Sequence, residues 1–300
     1  MSAELIPGEL THDGRRRSFH LRPPRDPDSP LIVALHGNMG PDAEGGGLLM
    51  HDWTRFADHA EEWGVGVVYP DGCHGSWADG RGVTAAEENG VDDVGFLRTL
   101  IDWCAEKFRT ASDRTLVAGI SNGAFMSHRL ALECSERVAV FAAVAGALPA
   151  DLTAVRPTHA VSAMLINGDA DPLVPLAGGH SRHRGPDGEP RGRILGAAAT
   201  AEHWASLDRC ADERTTVTTA GSRRVTAAHG IGDTAVTAWT VVGGGHTWPG
   251  VAVPEEWAGA PGAVSTLEFD ATVEIHHFAR PLLRPAARRL RPPRSEKENR

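Results

Sequence analysis

The chain has 300 residues, 41% of them hydrophobic, enough for one large α/β domain with a substantial core or for two small ones. Its net charge is −9; eight basic and two acidic side chains lie from Arg280 onward, so the body before them holds 22 basic against 37 acidic residues. An acidic body argues against nucleic-acid binding by the folded part, and no stretch approaches the roughly 20 apolar residues of a membrane-spanning helix.

The opening, MSAELIPGELTHDGRRRSFH, lacks the apolar core of a secretory leader, which predicts a cytoplasmic protein. Residues 1–30 read as a hairpin with an edge strand over 15–21. Leu31–Leu35 is a continuous apolar run of the kind buried in a parallel sheet, and it leads directly into His36-Gly37-Asn38-Met39-Gly40. A loop at that end of a strand is where an open α/β sheet binds ligands. Leu49, Trp53, Phe56 and Ala60 stand at helical spacing and predict an amphipathic helix over 48–62. A strand over 64–69 ends in Pro70-Asp71-Gly72. The loop that follows, 73–90, carries Trp77 and is a candidate substrate wall. Asp92 caps a helix whose apolar stripe is Val94, Leu97, Ile101, Cys104 and Phe108.

The stretch 115–126, TLVAGISNGAFM, organises the rest. An apolar strand runs into Gly119-Ile120-Ser121-Asn122-Gly123, which fits G-x-S-x-G, and a Pro-free and Gly-free helical stretch follows. In that pattern a strand turns sharply into a helix with serine at the apex. Side chains two positions either side of the serine would collide across the turn, so glycine is expected at both. The helix N-terminus then presents free N–H groups where negative charge would form.

Further strands are expected over 140–145 and 163–166, the second ending in Asn167-Gly168-Asp169-Ala170-Asp171-Pro172. Residues 178–193 are polar and read as flexible. A helix over 194–207 should face Leu195, Ala198 and Trp204 inward. Strands over 224–228 and 234–242 follow, the latter ending in Gly243-Gly244-Gly245-His246-Thr247-Trp248-Pro249-Gly250, and a helix over 270–278 closes the pattern. Strands alternating with helices predict a single α/β domain over 1–280 with a mainly parallel sheet. The basic Pro/Arg-rich tail, 281–300, reads as disordered. Cys73, Cys104, Cys134 and Cys210 include no C-x-x-C pair, which argues against a structural zinc site and leaves disulfide pairing open.

Acyl transfer by serine needs a base, a carboxylate that orients it, and N–H donors for the oxyanion. Downstream of Ser121 the residue types occur in the order acid, then histidine. Asp171 is preferred to Asp169 as the acid because Pro172 fixes its turn and it lies further past the strand end. His246 is the expected base, in a glycine-rich loop that can reach toward the serine. His36, also at a strand end, reads as a brace for the oxyanion loop. The oxyanion donors are expected to be the backbone N–H groups of Asn122 and Asn38. Trp77 and Trp248 are the expected substrate-binding residues.

The segments GISNGAFMSHRLALEC, INGDADPLVP, VDDVGFLRTLIDW, VVYPDG and GGGHTWPG together resemble the polyhydroxybutyrate-depolymerase-type esterases, which overlap with the feruloyl and acetylxylan esterases of carbohydrate esterase family 1. The resemblance runs from about Leu31 to Phe278. It implies an α/β-hydrolase fold, hydrolysis of small-molecule or oligomeric carboxylic esters with no metal or organic cofactor, and Ser121, Asp171 and His246 at the triad positions. Members are commonly secreted, which would apply here if a leader were removed. Asp169 stands where threonine is more usual, and the Arg-rich tail is foreign to the pattern. An acyltransferase or peptidase using the same triad, or a ligand-binding member without catalysis, are the alternative functions.

Overall fold

The computed structural model describes residues 4–41, 43–180, 188, 190 and 192–284. In chain order the elements are β1 (Ile6–His12), β2 (Arg15–Arg22), β3 (Leu31–Leu35), α1 (Gly46–Thr54), α2 (Ala60–Trp63), β4 (Gly66–Pro70), α3 (Ala85–Glu88), α4 (Asp93–Phe108), β5 (Thr115–Ile120) and α5 (Asn122–Glu133). There follow β6 (Val138–Val144), β7 (Ser162–Gly168), α6 (Ala197–Asp208), β8 (Arg214–Thr218), β9 (Ser222–Ala227), β10 (Val236–Val241) and α7 (Ala271–Ala279). The ten strands form one sheet in the order β1-β2-β4-β3-β5-β6-β7-β10-β9-β8. The six from β4 to β10 are parallel, and an antiparallel pair extends each side.

The continuous apolar runs have a two-sided explanation. Leu31, Val33 and Leu35 face one core layer with Phe96, Leu100, Leu130 and Trp204, contributed by α4, α5 and α6. Ile32 and Ala34 face the other with Met50, Ala271 and Ile275, contributed by α1 and α7. A parallel strand sandwiched between helix layers must be apolar on both faces, so its sequence does not alternate.

Several expectations need correction. The strand over 15–21 is not an edge: β2 lies between β1 and β4. The helix expected over 48–62 breaks at Arg55, which takes a left-handed conformation (φ 54°). Beyond the break a 3-10 turn starts, and the Ala57 N–H finds the buried Tyr69 hydroxyl at 2.9 Å. In α6, Trp204 is buried as expected, but Ala198 is exposed and Thr200 takes an inward position. β8 was not foreseen; its sequence, RTTVT, is largely exposed on the outer edge. Past residue 280 the chain still packs: Leu282 and Leu283 lie against the second core layer. The remainder of the tail, 285–300, and most of the segment expected to be flexible after Gly178 lie outside the described residues. Among the described residues no helix is long and apolar enough to cross a membrane, and none of the four cysteines is joined in a disulfide.

His128 sits in α5 with no exposure, and its Nδ1 accepts the Trp204 indole N–H at 3.0 Å. Burial pushes its pKa down to about 3, with His203 adding to the effect. The folded chain therefore keeps this ring neutral where the unfolded chain protonates it. Its contribution is complete above the unfolded value near 6.5 and falls away as pH drops below it, by about 2 kcal/mol on reaching pH 5. Urea unfolding across pH 7 to 5 checks this. His128→Asn, which keeps an acceptor but does not titrate, should be less stable at pH 7 and lose less stability on acidification.

Candidate active site

Parallel pairing brings the C-terminal ends of β3, β5, β7 and β10 to one edge of the sheet. Ile120, Val144, Ile166 and Trp239 form one row across four neighbouring strands. The chain beyond that row supplies Ser121, Asn122, Asp171, His246 and Trp248, while Asn38 follows β3 and Trp77 follows β4. β7 is two strands from β5 and β10 is three, so with neighbours about 4.8 Å apart the last two loops must bridge roughly 10 and 14 Å to reach the serine.

Ser121 follows β5 with φ 55° and ψ −119°, a conformation an L-residue rarely adopts. Its N–H donates to the Val144 carbonyl and its carbonyl accepts from the Phe125 N–H, each at 3.0 Å, so both neighbours fix the turn. A Cβ on Gly119 would run into the Gly123 carbonyl, the collision expected across the elbow. A Cβ on Gly123 would instead strike the Leu35 and His36 carbonyls at the end of β3. The second glycine thus lets the elbow seat against the neighbouring strand, a reason different from the expected one.

The loop after β3 lies beside the serine: a Cβ on Gly37 would sit 3.4 Å from the Ser121 Cβ. Asn38 is exposed, and its side chain accepts the Gly40 N–H at 2.9 Å, closing a local turn. His36 is buried. Its Nε2 accepts the Gly72 N–H at 2.9 Å, so Nδ1 carries the proton and donates to the Gly37 carbonyl at 2.6 Å. Burial holds its pKa below the ordinary histidine value, which keeps the ring in this neutral form. The ring therefore ties the end of β4 to the loop after β3, as a brace would.

Trp77 departs from expectation. It has no exposure; its indole N–H donates to the His36 carbonyl at 3.0 Å, and its backbone N–H donates to Asn122 Oδ1 at 2.7 Å. Asn122 Nδ2 returns bonds to the Trp77 carbonyl at 3.0 Å and to Asp79 at 2.6 Å. Asp79 also takes a forked contact from Arg81, whose guanidinium stacks 3.7 Å from the Phe125 ring centre. Asp93, at the start of α4, accepts from Arg17 at 2.6 Å and from the Ala78 N–H at 2.7 Å, buried throughout. The segment expected to be a substrate wall is thus an internal brace: Trp77, fully buried, ties the elbow to the loop after β3.

The structure brings His246 and Asp171 together. His246 Nδ1 lies 2.7 Å from Asp171 Oδ2, with the two side chains 14% and 1% exposed. Asp171 Oδ1 accepts the Leu173 and Val174 N–H groups at 2.8 and 2.9 Å. Asp169 is exposed and accepts the Gly243 N–H at 2.7 Å, fastening one loop to the other. The His246 loop is itself secured by a segment the sequence did not single out. The N–H groups of Gly245 and His246 donate to the Val264 and Gly262 carbonyls at 2.9 and 2.7 Å, and the Thr247 hydroxyl donates to Val264 at 3.0 Å.

Trp248 is buried, its indole N–H on the Thr272 hydroxyl at 3.1 Å, yet it forms part of the wall of a cavity beside His246. The other walls, missed from sequence, include Trp53, Leu173 and Trp257. Among the described residues no cluster of three His, Cys, Asp or Glu side chains could hold a metal ion.

The strand order, the sharp serine turn at the central strand and the acid–histidine pair at the same sheet edge define an α/β hydrolase. No family model matches the sequence. A Nocardia uniformis subsp. tsuyamanensis protein named as an esterase, NocK, is 31% identical over 261 residues, covering 82% of this chain and 74% of its own. The acetylxylan esterase A of Emericella nidulans is 26% identical over 117 residues, 39% of this chain and 37% of that one. Among solved structures, the acetyl xylan esterase from Aspergillus awamori superposes with a TM-score of 0.57 at 15% identity, covering 81% of this chain and 94% of that one. Native pOPH gives 0.51 at 15% identity, covering 82% of each chain. The chain belongs to the esterase family of the α/β-hydrolase type.

Removing the Asn122 side chain by Asn122→Ala leaves its backbone N–H in place but strands the Trp77 N–H and one Asp79 bond in a buried region. The expected loss is on the order of 3 kcal/mol in urea unfolding. Asn38→Ala, which opens only an exposed turn, should cost under about 1 kcal/mol. A larger loss at Asn38 than at Asn122 would contradict the bracing role given to the Trp77 segment.

Proposed function

We propose that the chain hydrolyses carboxylic esters through an acyl-enzyme on Ser121, with His246 as the base and Asp171 as its orienting acid. The observation that carries this reading is the 2.7 Å contact between His246 Nδ1 and Asp171, at the sheet edge where Ser121 holds its strained turn. The carboxylate accepts the Nδ1 proton, so the lone pair of the imidazole is on Nε2. That nitrogen takes the Ser121 proton as Oγ attacks the ester carbonyl, then gives it to the departing alkoxide oxygen. Water repeats the two transfers on the acyl-enzyme and releases the acid.

Charge on the carbonyl oxygen falls to the N–H of Asn122, the first of α5, and to the N–H of Asn38 in the adjacent loop. The α5 N-terminus adds its dipole to the same place. His36 contributes by shape: a neutral ring holding Gly37 fixes where the Asn38 N–H starts.

The substrate reading is a soluble ester, in line with the resemblance to feruloyl esterases and with relatives named as acetylxylan esterases. A solid polyester needs a broad exposed aromatic face to hold it. Every Phe, Trp and Tyr is described, and among them only Trp257 is exposed.

Ser121→Ala should abolish both hydrolysis of 4-nitrophenyl acetate and labelling by a serine-directed phosphonate, with an unchanged circular dichroism spectrum. Substantial remaining turnover would defeat the assignment. Asp171→Asn should lower kcat by about 10⁴-fold, the scale of neutralising a triad aspartate. Asp169→Asn keeps an acceptor for Gly243 and should change kcat by less than about tenfold; equal losses at the two positions would show that the acid is misassigned. In parallel assays a polyhydroxybutyrate suspension should clear far more slowly than short aryl esters are cleaved. The opposite ranking would remove the soluble-ester reading.

A further inference from the structure

The cavity beside His246 encloses about 190 Å³. Among the described residues that line it are His246 and Thr247, but not Ser121, Asn38 or Asn122. Trp53 of α1 and Trp257 meet edge to face at 5.0 Å and 79°, and Trp257, 42% exposed, stands at the rim. Val251, Ala260 and Leu173 also line it. Among the described residues no Asp, Glu, Lys or Arg side chain lines it, and the Thr247 hydroxyl is already committed to the Val264 carbonyl. Such a space suits an uncharged apolar group. An apolar cavity of about 150 Å³ takes a benzene molecule, so this one has room for a phenyl ring on a short linker, while a methyl group would leave most of it empty.

Its position decides which half of an ester it meets. The acyl carbonyl must lie between Ser121 and the amides of Asn122 and Asn38. The alkoxy oxygen must face His246, because that ring delivers its proton. A cavity that touches His246 and none of the acyl-side groups is on the leaving-group side. We infer that this cleft binds the alcohol portion of the substrate, an uncharged arylalkyl alcohol of about phenethyl size, and that Trp257, backed by Trp53, is the residue that selects it. The inference rests on the Ser121–His246 reaction proposed above. It has a kinetic signature: the alcohol departs as the acyl-enzyme forms, so contacts confined to it affect acylation and leave deacylation unchanged.

The test uses two ester series in a pH-stat. In the first the acyl group is fixed and the alcohol varies: ethyl, benzyl and 2-phenethyl acetate. In the second the alcohol is fixed and the acyl group varies: methyl acetate, butyrate and phenylacetate. The wild type should favour 2-phenethyl over ethyl acetate in kcat/KM. Trp257→Ala should reduce that preference by about tenfold or more, within the range expected for apolar pocket contacts, and leave the ratios among methyl esters unchanged. Trp257→Phe should restore most of the preference. Ala260→Phe, a filling change at an exposed position, should likewise reduce the preference for 2-phenethyl over ethyl acetate. The inference is overturned if Trp257→Ala shifts the acyl series instead, or if the enzyme cleaves all these esters with no alcohol preference. Should the wild type cleave none of them and resist phosphonate labelling, the proposed hydrolysis itself fails, and the cleft assignment with it.

Discussion

Ser121 keeps a positive φ that its side chain disfavours, and the packing around it is what makes that conformation the lower in energy. β3 and β5 run side by side so closely that only glycine fits at position 123 against the Leu35 and His36 carbonyls. The same closeness sets the Gly37 loop against the serine. Strain of this kind, of order 1–3 kcal/mol, persists only where the surroundings over-determine it. Here the surroundings are the parallel sheet on one side and, on the other, the buried cluster of Trp77, Asp79 and Asn122, so the elbow is clamped from both ends.

A second constraint acts on the histidine. Three glycines leave the chain before His246 with many accessible conformations, and the entropy of ordering them is considerable. The segment 262–266 offsets it by offering a row of carbonyls, from Gly262, Val264 and Thr266, to the loop N–H groups of His246, Gly245 and Gly250. Asp169 adds a tie at the loop's start through Gly243. The imidazole is thus positioned from behind by backbone contacts and from the side by Asp171.

The parts of the molecule legible in the sequence are those whose cause is local. Apolar runs such as Leu31–Leu35 announce buried parallel strands, and the glycines flanking Ser121 announce the elbow. Asp171 and His246 could be chosen because each follows a strand end in a loop built of turn residues. What stayed hidden depends on partners distant in the chain. Trp77 sits among polar residues and reads as exposed; its burial comes from His36 and Asn122, on either side of it in sequence. Arg55 interrupts a helix with neither Gly nor Pro to mark the break. β8 has no alternating pattern because one neighbour strand is enough to hold an outer edge. Trp257 lies in a run of Ala, Pro and Gly with no periodicity, so nothing local shows that it would stand against Trp53.

The walls of the cleft come largely from one continuous stretch, between the His246 loop and the cap of α7 at Asp270. That stretch is fastened at both ends, by the 262–266 contacts and by the Asp270 carboxylate on the Thr272 N–H. It contributes no strand to the sheet and none of the residues assigned to bond making. Its part before Gly262 can therefore vary in length and composition while the 262–266 contacts keep the His246 loop in place, an interchangeable cassette on a fixed frame. Divergence among proteins built on this plan would then concentrate between the histidine and the last helix, and grafting that stretch from one onto another should carry substrate preference across with it.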